Sequence, residues 1–214
     1  MNINFFKSMP VYYLICASIS LIALWILLCA VAINFYLAKK KGKVLKEKRS
    51  LVATGAMLAF FIAMYIISAL PYFKIKLSLQ YDALIRIFGT VIIVFSAGIN
   101  ICGRFFLKAN WGNQIRLYED HTLITKGPFK YVRHPLYAST IAMLIGFGFL
   151  QADYLVVLLT IFIFIPMMAY RASQEDKMLL ELFKDRYAEY KERTGMFFPK
   201  IKGGKNIGKN GKGV

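Results

Sequence analysis

The sequence predicts an all-α integral membrane protein with about five transmembrane helices, and three observations carry that prediction. The 214 residues are 58% hydrophobic and 15% aromatic. The apolar residues gather in runs close to the ~20 residues that span a hydrocarbon core of ~30 Å. The 28 Lys and Arg, against 11 Asp and Glu, fall between and after those runs. A net charge of +17 would suit a nucleic-acid binder if it formed one soluble face. Placed as it is, it fits positive-inside topology and anionic headgroups, so the expected partner is the lipid bilayer and not nucleic acid.

Val11 to Leu37 is the first span: it is far longer than the roughly 7 to 15 apolar residues of a signal peptide, and only Lys7 precedes it. Lys39 to Arg49 carries seven positive charges against the single Glu47 and reads as a cytoplasmic loop, which puts the N-terminus outside. Leu51 to Leu70 forms a second span closed by Pro71, and the link to Gln80 carries only Lys74 and Lys76. Tyr81 to Ile101 is the third, with Asp82 and Arg86 near its outer end. Its Gly89, Ser96, Ala97, Gly98 and the following Gly103 are small enough for another helix to approach.

From Asn110 to Tyr131 the chain is a polar connector, extended at Thr122 to Thr125 and turning at Gly127 and Pro128. Pro135 suits the first turn of a helix, Leu136 to Leu150 makes a short fourth span, and Gln151 to Asp153 a tight outside turn. Tyr154 to Tyr170 returns as the fifth span, and the two pair as a helical hairpin. Pro166 should kink it, since it strips the Phe162 carbonyl of its usual partner. Leu179, Phe183, Tyr187 and Tyr190 then mark an amphipathic cytoplasmic helix within Arg171 to Arg193. Inside segments hold 24 of the 28 positive residues when the C-terminus is cytoplasmic. Three regions follow: N-terminal helices over 1–100, a site-bearing region over 101–202, and a disordered basic tail over 203–214.

The chemistry gathers at the inner ends of the hairpin. Arg133, His134 and Tyr137 stand at one end, Arg171 and Glu175 at the other, and the topology makes them neighbours. Arg171 and Glu175 are four apart on a helix and can pair as ions, and ionisable groups at membrane depth are functional-site candidates. Cys16, Cys29 and Cys102 lack any CxxC or Cys/His ligand spacing, so no metal is expected. No GxGxxG follows a strand, and five spans leave too few residues for a doubly wound sheet; Gly146-Phe147-Gly148 reads as intramembrane packing.

The string His121-Thr122-Leu123-Ile124-Thr125-Lys126-Gly127-Pro128-Phe129 runs into Arg133-His134-Pro135-Leu136-Tyr137. After the hairpin come Arg171, Glu175-Asp176, Leu179, Phe183, Tyr187, Tyr190 and Phe198-Pro199. Over about residues 100 to 202 this resembles the isoprenylcysteine carboxyl methyltransferase family and its phospholipid methyltransferase relatives. The resemblance implies a multi-pass membrane enzyme, its site facing the cytoplasm, that uses S-adenosyl-L-methionine on a lipophilic or lipid-modified acceptor at a carboxylate. Carried over by position, Gln114, His121, Thr122, Leu123, Ile124, Phe129, His134, Pro135, Leu136, Tyr137 and Glu175 would contact cofactor. Arg171 would stand at the acceptor and methyl-transfer site with Arg133 close by, and Glu175 would count with these two as catalytic. The chain departs from the family pattern at Ser139 (usually Gly), Asp176 (usually Glu) and Phe129 (often Tyr). Asp is one methylene shorter and Phe lacks a hydroxyl, so both change the polar contacts available.

The residue chemistry agrees with such a ligand. Arg133 or His134 could meet a carboxylate, Glu175 could accept from an amine or ribose, and Tyr137 or Phe129 could lie against a sulfonium or adenine. Other readings consistent with the sequence are N-methylation of a phospholipid amine, a nicotinamide-dependent membrane reductase, and a non-catalytic transporter or assembly factor.

Overall fold

The longest apolar runs fold as helices because a backbone in lipid must satisfy every N–H and C=O within its own segment. The computed structural model describes residues 10–38, 44–48, 51–107, 115–118 and 122–200. Helix α1 spans Val11–Ala38, α2 Leu51–Ala69, α3 Leu79–Leu107, α4 Pro135–Leu150 and α6 Asp185–Arg193; between the last two, α5 runs unbroken over Tyr154–Phe183. Val11–Asn34, Leu79–Leu107 and Tyr154–Phe183 are long and apolar enough to cross a membrane, whereas Gly55–Ala69 and Pro135–Leu150 are shorter. The protein is an integral membrane protein, and its outward side chains suit lipid: Leu21, Ile22, Trp25 and Phe95 are more than half exposed.

Helix α4 is the middle of the bundle. One side shares a core with α1 and α3, through Cys16, Ile93 and Leu150 and through Leu27, Ala97 and Met143. The other packs with α2 and α5, where Ile141 and Leu144 meet Met64, Val156, Phe164 and Met168. The α3/α4 crossing is close enough for backbones to touch: a Cβ on Gly89 would lie 2.5 Å from the Gly146 oxygen, and one on Gly146 would lie 2.8 Å from the Gly89 oxygen. Ser96, Ala97 and Gly103 also face inward, but Gly98 does not, since nothing stands within 4 Å of where its Cβ would be. Gly148 seats Val157 across the hairpin, so the Gly-Phe-Gly triplet is packing as expected.

Polar groups lock the end of the bundle that holds the α4–α5 turn. Arg86 donates to Asp82 and to the Leu150 carbonyl (2.6 Å), and Tyr12 donates to Asp82 at 2.7 Å. Arg86 also lies over the Tyr13 ring, whose hydroxyl reaches Gln151. Asp153 caps α5 by accepting from the N–H groups of Leu155 and Val156, and it pairs with Lys74 at 3.2 Å. Burial pulls Lys74 below the ordinary lysine range, against the pull of that carboxylate.

The structure corrects the sequence reading in several places. The fifth span does not end at Tyr170 before a separate amphipathic helix: α5 continues to Phe183, and the chain breaks at Lys184, whose φ is +45°. At Pro166, where a kink was expected, the helix continues, and the turn before it widens to π geometry over Thr160–Phe164, which accommodates the missing N–H. Thr122 to Thr125, expected to be extended, joins no strand pairing. A two-stranded antiparallel ribbon joins β1 (Val44–Lys48) to β2 (Ile115–Tyr118), with Glu47 opposite Arg116 in register, so the all-α expectation misses one element. The 203–214 tail lies outside the described residues.

Candidate active site

The corner that opens α4 is built by backbone first. Gly127 takes φ +61°, and a Cβ there would meet the Phe106 ring at 2.4 Å, so this turn against α3 suits glycine. A 3-10 turn over Gly127–Lys130 follows, and the chain then pairs with the segment beyond α6: the Arg133 N–H donates to the Gly195 carbonyl (2.9 Å) and the His134 N–H to that of Met196 (3.1 Å). Pro135 opens α4, where an N–H would have had no helical partner. His134, just before it, does not cap the helix with its side chain, which is committed elsewhere.

That commitment is to Asp176. His134 Nε2 lies 2.7 Å from Asp176 Oδ1, the Tyr187 hydroxyl donates to the same oxygen, and Arg133 Nη2 stands 3.4 Å from Oδ2. Asp176 and His134 are 4% and 5% exposed, and Tyr187 is fully buried. Burial, and then the Asp176 carboxylate, push the Tyr187 phenol far above its ordinary range, and burial does the same to Tyr190. Tyr190 donates to the Phe129 carbonyl at 2.7 Å. The remaining Arg133 contacts run to the backbone, from Nη1 to the Thr194 carbonyl and to that of Lys191 (3.1 Å).

A second group adjoins the first. The Tyr137 hydroxyl donates to Glu175 Oε2 (3.0 Å) and accepts from Arg171 Nε (3.1 Å), so it joins the two residues that the sequence suggested would pair. Arg171 Nη1 also reaches Met57 Sδ on α2 at 3.6 Å. The Tyr137 ring stacks on that of His134, centroids 5.5 Å apart at 14°, and Phe197 meets His134 edge-on. Glu175 Oε2 is 3.6 Å from His134 Nδ1, and the Glu175 side chain is one-third exposed where that of Asp176 is 5% exposed. Consecutive residues on a helix point about 100° apart, so one carboxylate enters the core while its neighbour stays open.

Of the residues singled out from the sequence, Arg133, His134, Tyr137, Arg171 and Glu175 come together. Phe129 is buried beneath Tyr190, Pro135 is buried at the helix start, and Leu136 packs on Gly103. Thr122 is exposed, with Leu123 and Ile124 half-buried before the turn. Gln114 and His121 lie outside the described residues. The sequence reading missed Tyr187 as a partner of Asp176, because the two stand on different helices, α5 and α6, either side of the break at Lys184. It also missed Asn100, which donates from α3 to Ser139 Oγ (2.8 Å) and to the Leu136 carbonyl (3.1 Å), while its Oδ1 accepts from Arg104 Nε. Ser139 thus bonds α4 to α3 where a glycine would offer no hydroxyl. Among the described residues no cluster of three or more His, Cys, Asp or Glu could hold a metal.

Residues 89–181 match the isoprenylcysteine carboxyl methyltransferase (ICMT) family model. Among curated proteins, the chain is 32% identical over 83 residues to the cobalt-zinc-cadmium resistance protein CzcN of Cupriavidus metallidurans, covering 39% of this chain and 38% of that protein. It is 33% identical over 82 residues to the protein-S-isoprenylcysteine O-methyltransferase of Saccharomyces cerevisiae, covering 38% and 34%. The matched stretch thus spans little more than a third of these relatives. In fold, the chain is similar to the eukaryotic intramembrane Ras methyltransferase ICMT, with a TM-score of 0.52 at 18% identity over 72% of this chain and 54% of that one.

Proposed function

We propose, from the match of residues 89–181 to the isoprenylcysteine carboxyl methyltransferase family model, that the chain is a member of that family, an S-adenosyl-L-methionine-dependent methyltransferase acting on a lipophilic acceptor at a carboxylate. The observation that carries the reading is the meeting of Tyr137, Glu175 and Arg171 beside the His134 ring, at the inner end of the α4–α5 hairpin within the matched segment.

The residues present fit such a cofactor. Glu175 offers a partly open carboxylate and His134 an edge nitrogen, both suited to an amino group or ribose hydroxyls. Tyr137, stacked on the His134 ring, and Phe197, in edge contact with it, bring aromatic rings to that corner, and an aromatic face favours a sulfonium. Pro135 and Leu136 complete the corner, and Gln114 and His121 to Ile124 belong to the same proposed set. When bound, the cofactor supplies an electrophilic methyl group on a positively charged sulfur. Catalysis by this chain is then mostly alignment. Arg171, steadied by the Tyr137 hydroxyl, orients an acceptor carboxylate, which attacks without losing a proton and so needs no base. An amine acceptor would need one, and His134 or Glu175 would be the candidate.

The membrane reading extends in the same way. We propose that α2 and α4 cross together with α1, α3 and α5, giving five spans with the N-terminus outside and the site in the cytoplasm. Support comes from the positive residues of the inner segments and from α4 lying at the centre of the bundle. Residues 101–202 would form the cofactor-binding region, with the helices of 1–100 shaping the acceptor entrance.

Purified protein in detergent is titrated with S-adenosylhomocysteine by calorimetry, and membranes are incubated with methyl-labelled cofactor. Binding and a base-labile labelled product are expected; a base-stable product would move the reading to amine methylation, and no binding would remove methyl transfer. Glu175→Gln should weaken binding about tenfold, while Lys130→Ala, on an exposed turn, should leave it unchanged.

A further inference from the structure

Asp176 and Glu175 are adjacent carboxylates with different surroundings, and the buried one sets the state of His134. A carboxylate only accepts hydrogen bonds, so an imidazole nitrogen 2.7 Å from Asp176 Oδ1 must carry a hydrogen. The opposite arrangement, with a proton on Asp176 and a bare Nε2, conflicts with the other groups there, since the Tyr187 hydroxyl and the Arg133 guanidinium both direct donors at the same carboxylate. The ring is also held in place. Tyr137 stacks on one face, Phe197 meets it edge-on, and the His134 backbone is pinned to Met196.

One polar edge of the ring is left over. Nδ1 is 3.6 Å from Glu175 Oε2, and among the described residues no hydrogen bond reaches it. In the neutral ring with Nε2 protonated, Nδ1 is a lone pair. It then stands beside a second acceptor, on the side of the site where Glu175 is open. Two acceptors 3.6 Å apart repel a carboxylate and suit an ammonium or a pair of hydroxyls.

We propose that Asp176, secured by Tyr187 and Arg133, is a positioning residue that fixes the proton of His134 on Nε2, so that Nδ1 and Glu175 Oε2 together receive a donor-bearing edge of the ligand, an ammonium or a vicinal diol. The ligand half of this assignment rests on the methyltransferase reading; the Asp176 half does not. His134 therefore meets the amino or ribose end of a cofactor and leaves its carboxylate to other groups. The work is divided along one turn of helix: Asp176 orients and Glu175 contacts.

The chain has two histidines, which makes the tautomer measurable. Protein labelled with ¹⁵N in the imidazole rings is studied by NMR in detergent on the neutral rings, with His121→Asn used for assignment. A single Nε2-protonated tautomer is expected for His134, with an Nδ1-protonated form appearing in Asp176→Asn and, to a smaller extent, in Tyr187→Phe, which keeps the carboxylate should the first variant fold poorly. A bare Nε2, a mixture like that of free histidine, or a tautomer indifferent to both substitutions overturns the proposal.

For the ligand half, His134→Gln keeps a polar group near the Nε2 position and removes Nδ1. S-adenosylhomocysteine and 5′-methylthioadenosine, which has the ribose but no amino acid, are titrated by calorimetry. A loss of about tenfold for the first compound alone identifies the ammonium, and an equal loss for both identifies the ribose diol; no loss for either overturns the acceptor pair. If wild-type protein binds neither compound, the methyltransferase reading falls and takes the acceptor pair with it, and the NMR result still decides the role of Asp176.

Discussion

Replacing Gly89 by alanine tests the contact that holds α4 against α3 near the α4–α5 turn. The added Cβ would lie 2.5 Å from both the Gly146 oxygen and the Leu150 nitrogen, where ordinary contact begins near 3.4 Å. Both obstacles are backbone atoms and cannot rotate away, so α3 and α4 must part by about 1 Å. Overpacking of this kind costs about 1–3 kcal/mol, offset by up to about 1 kcal/mol because alanine is the better helix former. Gly98→Ala, on the same helix with nothing within 4 Å, has only the gain. Thermal unfolding followed by circular dichroism in detergent should place Gly89→Ala about 2–8 °C below wild type and Gly98→Ala at or above it. The displacement also travels. Asn100 is three turns further along α3, and its 2.8 Å bond to Ser139 cannot stretch by 1 Å and survive, so affinity for S-adenosylhomocysteine should fall as well. If Gly89→Ala unfolds no earlier than Gly98→Ala, the helices do not touch as described and the argument fails.

Three more outcomes are expected. Arg133→Lys removes the planar fork that spans Asp176 and the carbonyls of Lys191 and Thr194. Hydrogen exchange should accelerate about tenfold or more at the Arg133 and His134 amides, and unchanged protection there would show that the fork holds nothing. Asp153→Ala deletes an N-cap worth about 1 kcal/mol and leaves the half-buried Lys74 without its carboxylate; thermal unfolding should show a loss greater than the cap alone. Tyr187 has a folded-state value raised by burial and by Asp176, so the stability it contributes is complete below the ordinary tyrosine range and is lost as pH rises above about 10. The advantage of wild type over Tyr187→Phe should therefore shrink through that range in pH-dependent denaturation, and a constant gap would refute the linkage.

The inner ends of the hairpin were legible because one turn of sequence, Arg133-His134-Pro135 with Tyr137, had to face Arg171 to Asp176 once both ends of a two-helix hairpin emerged on one side. The distance of 2.7 Å between His134 and Asp176 meets that expectation. Helix periodicity also predicted that Arg171 and Glu175 share a face, yet it could not show Tyr137 standing between them, because that contact comes from a different helix. Asn100 is one polar residue in an apolar span, and its meaning depends on Ser139, thirty-nine positions away. The same holds for the tie of Tyr12 to Asp82 and for the β1–β2 ribbon, whose strands lie in a basic loop and a polar connector with no alternation strong enough to mark them. The proline at 166 announced a local irregularity, but whether a helix breaks, kinks or widens there is decided by its neighbours, and here Phe60 and Phe61 pack on Phe164 within the widened turn.

The short backbone pairing of the α4 corner with Gly195 and Met196 bears on how the protein is made. Arg133 and its partner Thr194 are 61 positions apart, and at about 5–20 residues per second a ribosome takes about 3–12 s to cover that stretch. The α4–α5 hairpin is itself made within that interval, and Tyr187 and Phe197 follow it, so Asp176 meets Tyr187 and Phe197 covers the His134 edge only at its end. The chain therefore enters the membrane before its chemistry is assembled. A nascent protein stalled before residue 187 should reside in the bilayer yet be inert, so insertion and competence are separable stages of its biogenesis.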